Sequence, residues 1–144
     1  MDLGEALNLG QQLAQQAESH GHWVAGGRIA SRISWARSIG IDSDKALLAD
    51  LLYDVIGTSV ASQESVVVSF ALAQQVAIGE VTAFEALCMA ASLGGDTDTI
   101  AAMLGAMLGA CLGLESWPVA MIEQVKAVNS LELEPLVKGL LALR

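Results

Sequence analysis

Apolar residues recur three and four positions apart along most of the chain, which is the spacing of amphipathic helices. Glycine follows most of these segments, and two capping boxes, Asp2 with Glu5 and Thr82 with Glu85, mark helix starts. The spacing predicts helices over 2–21, 29–40, from Asp42 or Ser43 to 57, 63–78, 82–94 and 97–112, then one that starts at Ser116–Trp117–Pro118 and a short one opened by Glu134–Pro135. No hairpin signal or composition break interrupts this pattern. We therefore predict an all-α fold, a multi-helix bundle that forms a single domain over residues 1–144.

The segment 100–114 is the most apolar part of the chain and raises the question of a membrane helix. It contains fifteen uncharged residues, with Gly105, Gly109 and Gly113 at the four-residue spacing of membrane helix pairs. A helix of that length rises about 22 Å, which is short of the ~30 Å hydrocarbon core of a bilayer. Extending it would bring Asp96 and Asp98 into lipid at high cost. We expect no membrane partner, and a bundle helix whose glycine ridge lets a neighbouring backbone approach.

The composition excludes several classes of protein. A hydrophobic fraction of 53% rules out a disordered chain, and a formal net charge of −9 repels nucleic acid, which is not an expected partner. Cys88 and Cys111 lack metal or disulfide spacing and are expected to be small core residues in a reducing compartment. The N-terminus shows no signal-peptide pattern, so we expect a cytoplasmic location.

The charged residues are unevenly distributed. No lysine or arginine lies between Ala46 and Val125, although that stretch contains Asp50, Asp54, Glu64, Glu80, Glu85, Asp96, Asp98, Glu115 and Glu123. Carboxylates without internal cations either face water or bind an external cation. Arg28 and Arg32, four apart on one predicted helix, could meet a pyrophosphate, although a solvated or salt-bridged face is the default for such a pair.

The run Asp96–Thr97–Asp98–Thr99 follows a glycine pair and opens the most apolar helix. Within a regular helix two aspartates two residues apart would diverge, but at a helix start the glycines permit an entry from which both carboxylates can converge. Carboxylates with a hydroxyl and water form a magnesium-type ligand set. The competing interpretation is a well-capped helix, because aspartate is a favoured N-cap and suits the helix dipole.

Two segments resemble a known family. The sequence LGGDTDTIAA at 93–102, followed by the glycine ladder of the same helix, resembles the C-terminal signature of the ADP-ribosylglycohydrolase family. Gly57, Ala61 and the run Glu64–Ser65–Val66, which precedes an apolar helix, resemble the G…A..ESV segment of that family. Together the two segments span about 51–118 of the chain.

The resemblance implies an all-α fold with a binuclear magnesium site that grips the ribose of an ADP-ribosyl substrate while water breaks its glycosidic bond. Asp96, Asp98 and Thr99 match the metal-binding residues, with Asp98 as the bridging ligand. The supporting positions near the site are Glu64, Ser65, Gly94, Gly95 and Thr97. Such a hydrolysis needs metal ions to orient the ribose hydroxyls and lower the pKa of a water, and a carboxylate as general base.

The chain departs from the family in length and in its N-terminal motifs. Family members are about twice as long, and their N-terminal half carries a G-D-x-x-G type segment with the catalytic acidic residue and a T/S-D-D-T type segment that supplies the remaining metal ligands. The nearest acidic pair here, Asp42–Ser43–Asp44, lacks the right neighbours. The catalytic residues are thus expected in an absent N-terminal half, and this chain is expected to be a fragment, one part of a split enzyme, or a truncated, non-catalytic helical module.

Loss of half of an all-α domain would expose the apolar helix faces that the other half covered. The high hydrophobic fraction of this chain agrees with such exposure. We therefore expect a homo-oligomer or a complex with a separate N-terminal half.

Overall fold

The computed structural model describes residues 2–39 and 44–143. Over these residues it contains eight α-helices and no strand. The helices are α1 Leu3–Ala17, α2 Ile29–Ile39, α3 Lys45–Asp50, α4 Ser62–Ala77, α5 Ala83–Ser92, α6 Thr97–Leu112, α7 Val119–Asn129 and α8 Leu133–Leu141. A π-helical segment, Leu51–Ile56, continues α3, and a 3₁₀ turn, Leu114–Ser116, follows α6. The predicted all-α fold is confirmed.

Local capping explains several helix starts. Both predicted capping boxes are present, with the Asp2 and Thr82 side chains accepting from the backbone N–H of Glu5 and Glu85. The predicted start of the third helix at Asp42 or Ser43 lies outside the described residues. The described helix α3 has Asp44 as its N-cap, and this side chain accepts from the backbone N–H of Leu47 at 2.8 Å.

The predicted start of α7 at Ser116 is wrong. Ser116 belongs to the 3₁₀ turn, and its hydroxyl donates to the Gly113 carbonyl at 2.8 Å instead of capping α7. Pro118 is the N-cap residue of α7, and it offers no side-chain acceptor to the first turn. A serine and a proline near a helix start therefore located α7 to within three residues without identifying its cap.

Helix α4 lies at the centre of the fold. It packs against α1, α2, α5 and α6, and nine of its sixteen residues are buried. Helix α6 packs on one side of it through Ile100, Leu104 and Leu108, which are fully buried. The predicted glycine ridge is wrong as a backbone contact, because Gly105 faces the Leu87 side chain and Gly109 faces open space.

The C-terminal helices are exposed by comparison. Neither α7 nor α8 contains a buried residue, although both are rich in valine and leucine. Cys88 is also exposed, contrary to the expected core position, whereas Cys111 is partly buried against the core. Across the described parts of the chain, every helix is too short or too polar to cross a bilayer.

Candidate metal centre at the start of α6

A glycine pair shapes the loop that leads into α6. Gly94 and Gly95 have φ values of +89° and +73°, in the left-handed region that side chains rarely adopt. A Cβ atom on Gly95 would overlap the carbonyl and the hydroxyl of Thr58. Glycine is therefore required at Gly95 by both its backbone angle and its neighbour, and the chain reaches Asp96 in close contact with the loop before α4.

Hydrogen bonds join this loop to the segment around Glu64. The backbone N–H of Asp96 donates to the Thr58 carbonyl at 2.7 Å. Farther along α4, the buried Ser69 hydroxyl donates to the Ser65 carbonyl at 2.8 Å and to the Ile100 carbonyl of α6 at 3.3 Å. The two sequence segments, 57–65 and 94–99, thus lie side by side at one end of the α4–α6 pair.

The three proposed ligands lie at this junction. Asp96 is the partly buried N-cap residue of α6, yet its carboxylate accepts no capping hydrogen bond. Asp98 and Thr99 are exposed in the first turn, and Thr97 is partly buried. Hydrogen bonding to the neighbouring Asp96 carboxyl, and then to the backbone N–H groups of Thr99 and Asp98, lowers the pKa of the Asp98 carboxyl.

The two aspartates differ in whether they stabilise the start of α6 as the capping interpretation predicts. Asp98 accepts from N–H groups of the first turn, which is the ordinary stabilising role of an acidic group at a helix start. Asp96 does not cap the helix and instead interacts with the other carboxyl. Two neighbouring carboxylates repel each other when both are ionised, and either a shared proton or a bound cation would relieve that repulsion.

Glu64 holds the loop before α4 in place. Its Oε2 accepts from the backbone N–H of Ser59 at 2.8 Å. The backbone and hydroxyl of Ser59, with a smaller contribution from the Arg32 charge, lower the pKa of Glu64. Gly57, with φ +88°, lies so close that a Cβ there would meet the Glu64 carboxylate. Ser65 is buried, and its hydroxyl donates to the Ala61 carbonyl at 3.2 Å.

The sequence does not reveal the positions of Thr58 and Arg32 beside the candidate site. Arg32 donates to the Ile56 carbonyl at 2.5 Å and so fixes the chain just before Gly57, whereas Arg28 forms an exposed ion pair with Glu18 at 3.6 Å. The polar turn next to Gly57 was the available signal for Thr58. Its contact with Gly95 is long-range, so spacing along the sequence could not reveal it.

Comparison with known proteins identifies the family. The ADP-ribosylglycohydrolase family model matches residues 2–144. The chain belongs to the ADP-ribosylglycohydrolase family. It is also similar to the uncharacterized protein YegU of Escherichia coli (strain K12), with 33% identity over 105 residues, or 72% of this chain. The aligned region spans 30% of the length of YegU. No solved structure matches the chain.

The ADP-ribosylglycohydrolases are metal-dependent, and the start of α6 offers side chains that suit a metal ion in kind. Aspartate carboxylates and a threonine hydroxyl are hard oxygen donors of the kind that Mg²⁺ prefers. However, within 2–39 and 44–143 no three His, Cys, Asp or Glu residues lie close enough together to hold an ion. The donors therefore suit magnesium in kind and cover only part of the six positions of its octahedral shell.

Proposed function

We propose that this chain supplies part of the metal site of a magnesium-dependent ADP-ribosylglycohydrolase, in which Asp96, Asp98 and Thr99 hold Mg²⁺. The observation that carries the proposal is the start of α6, where the Asp96 carboxylate makes no capping hydrogen bond and Asp98 lies exposed in the first turn. Over the described residues, no lysine or arginine forms an ion pair with Asp96 or Asp98. A bound cation would neutralise these carboxylates.

The residues of the chain divide into ligands and residues that position them. Asp96, whose carboxylate makes no capping hydrogen bond, and Asp98, which accepts from N–H groups of the first turn, would supply carboxylate oxygens to the ion. Thr99 adds an exposed hydroxyl beside them. Gly94 and Gly95 turn the chain into this geometry, while Glu64 and Ser65 fix the neighbouring loop and Thr97 lies between the ligands.

The proposed reaction is hydrolysis of the glycosidic bond of an ADP-ribosyl group. Water adds to the anomeric carbon as the bond to the modified group breaks, and the leaving group takes up a proton. Asp96, Asp98 and Thr99 would hold part of a magnesium site, and magnesium bound there would help to orient the ribose hydroxyls and to lower the pKa of a water. We propose that the general base and the remaining ligands come from outside this chain, either from a longer form of it or from a separate polypeptide.

Calorimetric titration with Mg²⁺ tests the proposed ligands. We expect Asp96→Ala and Asp98→Ala to weaken Mg²⁺ binding at least about tenfold, in the chain alone or combined with a candidate N-terminal half. Glu115→Ala is the matched control, because it removes an exposed carboxylate just beyond the other end of α6. Equal Mg²⁺ binding by the wild type and both aspartate variants would overturn the ligand assignment. Hydrolysis of an ADP-ribosylated substrate by the combined halves then tests the reaction.

A second candidate function is a non-catalytic helical module that acts by association with itself or with another protein. It is favoured by the lack of a three-residue acidic or imidazole cluster in the described part of the chain and by the short share of YegU that the chain covers. This candidate predicts no hydrolysis with any added N-terminal half, whereas the enzyme predicts hydrolysis that depends on Asp98.

We further propose that the protein works in the cytoplasm. Cys88 and Cys111 are both free thiols, which agrees with a reducing compartment. Fractionation of cells with an antibody to the chain tests this location, and recovery outside the cytoplasm would contradict it.

A further inference from the structure

Residues 56–59 lie against the backbone of the proposed ligand Asp96. The Thr58 carbonyl accepts from the Asp96 N–H at 2.7 Å, and Thr58 is buried. Gly95 approaches the same residue so closely that a Cβ atom there would overlap it. The Asp96 side chain makes no capping hydrogen bond that could hold the residue independently. A shift of the Thr58 carbonyl would therefore move the backbone from which the Asp96 carboxylate extends.

Arg32 of α2 holds the chain two residues before Thr58. Its guanidinium donates to the Ile56 carbonyl at 2.5 Å, and Ile56 is buried. Ile56 is the last residue of the π-helical segment, and the last carbonyl groups of a helix have no partner within it. A hydrogen bond from a charged donor is roughly twice as strong as one between neutral groups. Arg32 therefore satisfies this carbonyl and fixes the direction in which the chain continues towards Thr58.

Close neighbours keep the Arg32 side chain in this orientation. A Cβ atom on Gly27 would lie 2.8 Å from the Arg32 Cδ atom, so the loop before α2 packs tightly on the stem of the side chain. Hydrogen bonds from Ser59 lower the pKa of Glu64 most, and the nearby Arg32 charge adds to that effect. Glu64 accepts from the Ser59 N–H at 2.8 Å. Arg32 and Glu64 thus hold opposite ends of residues 56–59.

We propose that Arg32 is a positioning residue of the candidate metal centre, because it fixes the segment that holds Asp96. The inference rests on the proposed ligand role of Asp96. Residues that hold metal ligands in place typically account for about 10–100-fold in metal affinity. A positive charge near the site opposes Mg²⁺, so removal of that charge alone would strengthen binding. Loss of Arg32 should instead weaken binding, and the sign of the change separates positioning from a simple charge effect.

Calorimetric titration of the full chain with Mg²⁺, alone or combined with a candidate N-terminal half, tests this sign. We expect Arg32→Gln to raise the Mg²⁺ Kd about tenfold. Arg32→Lys should recover part of the affinity, because an ammonium group can still donate to the Ile56 carbonyl. Arg28→Gln is the matched control, since it removes the same charge from an exposed ion pair with Glu18, and it should leave the Kd unchanged or slightly lower. An unchanged or lower Kd in Arg32→Gln overturns the proposal.

Amide hydrogen exchange of the metal-free chain, measured by NMR, tests the positioning without Mg²⁺. Arg32→Gln should speed exchange of the Asp96 N–H about tenfold, because the Thr58 carbonyl that accepts it is no longer fixed. The Gly113 N–H, which donates to the Gly109 carbonyl at the far end of α6, should exchange as in the wild type.

The exchange result separates this inference from the proposed function. Equal acceleration at Asp96 and Gly113 would mean that Arg32 supports only the stability of the whole fold, and it would overturn the inference. Unchanged exchange at Asp96 would also overturn it. If the wild type binds no Mg²⁺ in either form, the proposed function fails, and a selective change at Asp96 would still show that Arg32 fixes this residue.

Discussion

Helices α4 and α6 are rich in apolar residues, and so are helices α7 and α8. Of these four, only α4 and α6 bury such residues in the core. Nine residues of α4 are buried, and α6 adds Ile100, Leu104 and Leu108 to the same core, whereas α7 and α8 bury none. The loop of the candidate metal site is attached to the buried pair through Thr58 and Ser69. An apolar stripe therefore predicts that a helix packs against other residues. The arrangement of the other helices determines whether those residues belong to the same fold.

The largest expected effect separates the two pairs directly. Leu104→Ala should lower the free energy of unfolding by about 2–5 kcal/mol, because the fully buried side chain leaves a cavity. Leu136→Ala should change the monomer by less than about 0.5 kcal/mol, since its side chain is exposed. Urea denaturation measures both values.

If Leu136→Ala lowers the free energy of unfolding by more than this, the dependence of the loss on protein concentration shows its cause. A loss that grows as the chain is concentrated would indicate self-association through α8. A loss of several kcal/mol that is independent of concentration would contradict the difference between the two helix pairs.

The next largest effect concerns the loop before α6, in which Gly95 contacts Thr58. Gly79→Ala should cost about 1–2 kcal/mol, because Gly79 has φ +80° but faces open space. Gly95→Ala has a similar backbone angle and also forces a Cβ against Thr58, so it should cost about 1–3 kcal/mol more. Thermal unfolding of the two variants isolates the cost of the close contact. Equal losses would mean that the loop moves freely away from Thr58, and the site would then lack a fixed position.

The sequence was sufficient for the features that depend on neighbouring residues. Helical spacing predicted the bounds of α2 and α6 closely, and both capping boxes formed as predicted. The DTDT run was correctly placed at a helix start. These features depend on backbone propensity and hydrogen bonds within a few residues, which a local pattern contains.

The remaining features depend on distant contacts, and the sequence did not reveal them. The contact of Gly95 with Thr58 and the bond from Arg32 to Ile56 join residues far apart in the chain. Cys88 lies in an apolar helical pattern yet is exposed. Periodicity identifies which face of a helix is apolar, but the arrangement of the other helices determines which part of that face is covered.

The smallest expected effect concerns the hydrogen bond by which Glu64 of α4 holds the preceding loop at Ser59. Glu64→Gln should destabilise the chain by about 1 kcal/mol at neutral pH, because a neutral amide replaces a charged acceptor for the Ser59 N–H. The folded state lowers the pKa of Glu64 below its ordinary value of 4.5. This stabilisation is therefore fully present above about pH 4.5 and is lost as pH falls through the folded pKa. The difference between wild type and variant should disappear in acid.

NMR measurement of the Ser59 amide chemical shift from pH 7 to pH 3 tests whether the loss of stability in acid comes from protonation of Glu64. It should titrate with a midpoint below 4.5 in the wild type and should not titrate in Glu64→Gln. Glu85→Gln is the matched control, since Glu85 accepts from the Thr82 N–H at the same distance, 2.8 Å, at the start of α5. It should abolish the titration of the Thr82 amide and leave that of Ser59 intact. If the Ser59 amide still titrates in Glu64→Gln, another carboxylate holds the loop, and the link between the candidate site and α4 is weaker than the structure indicates.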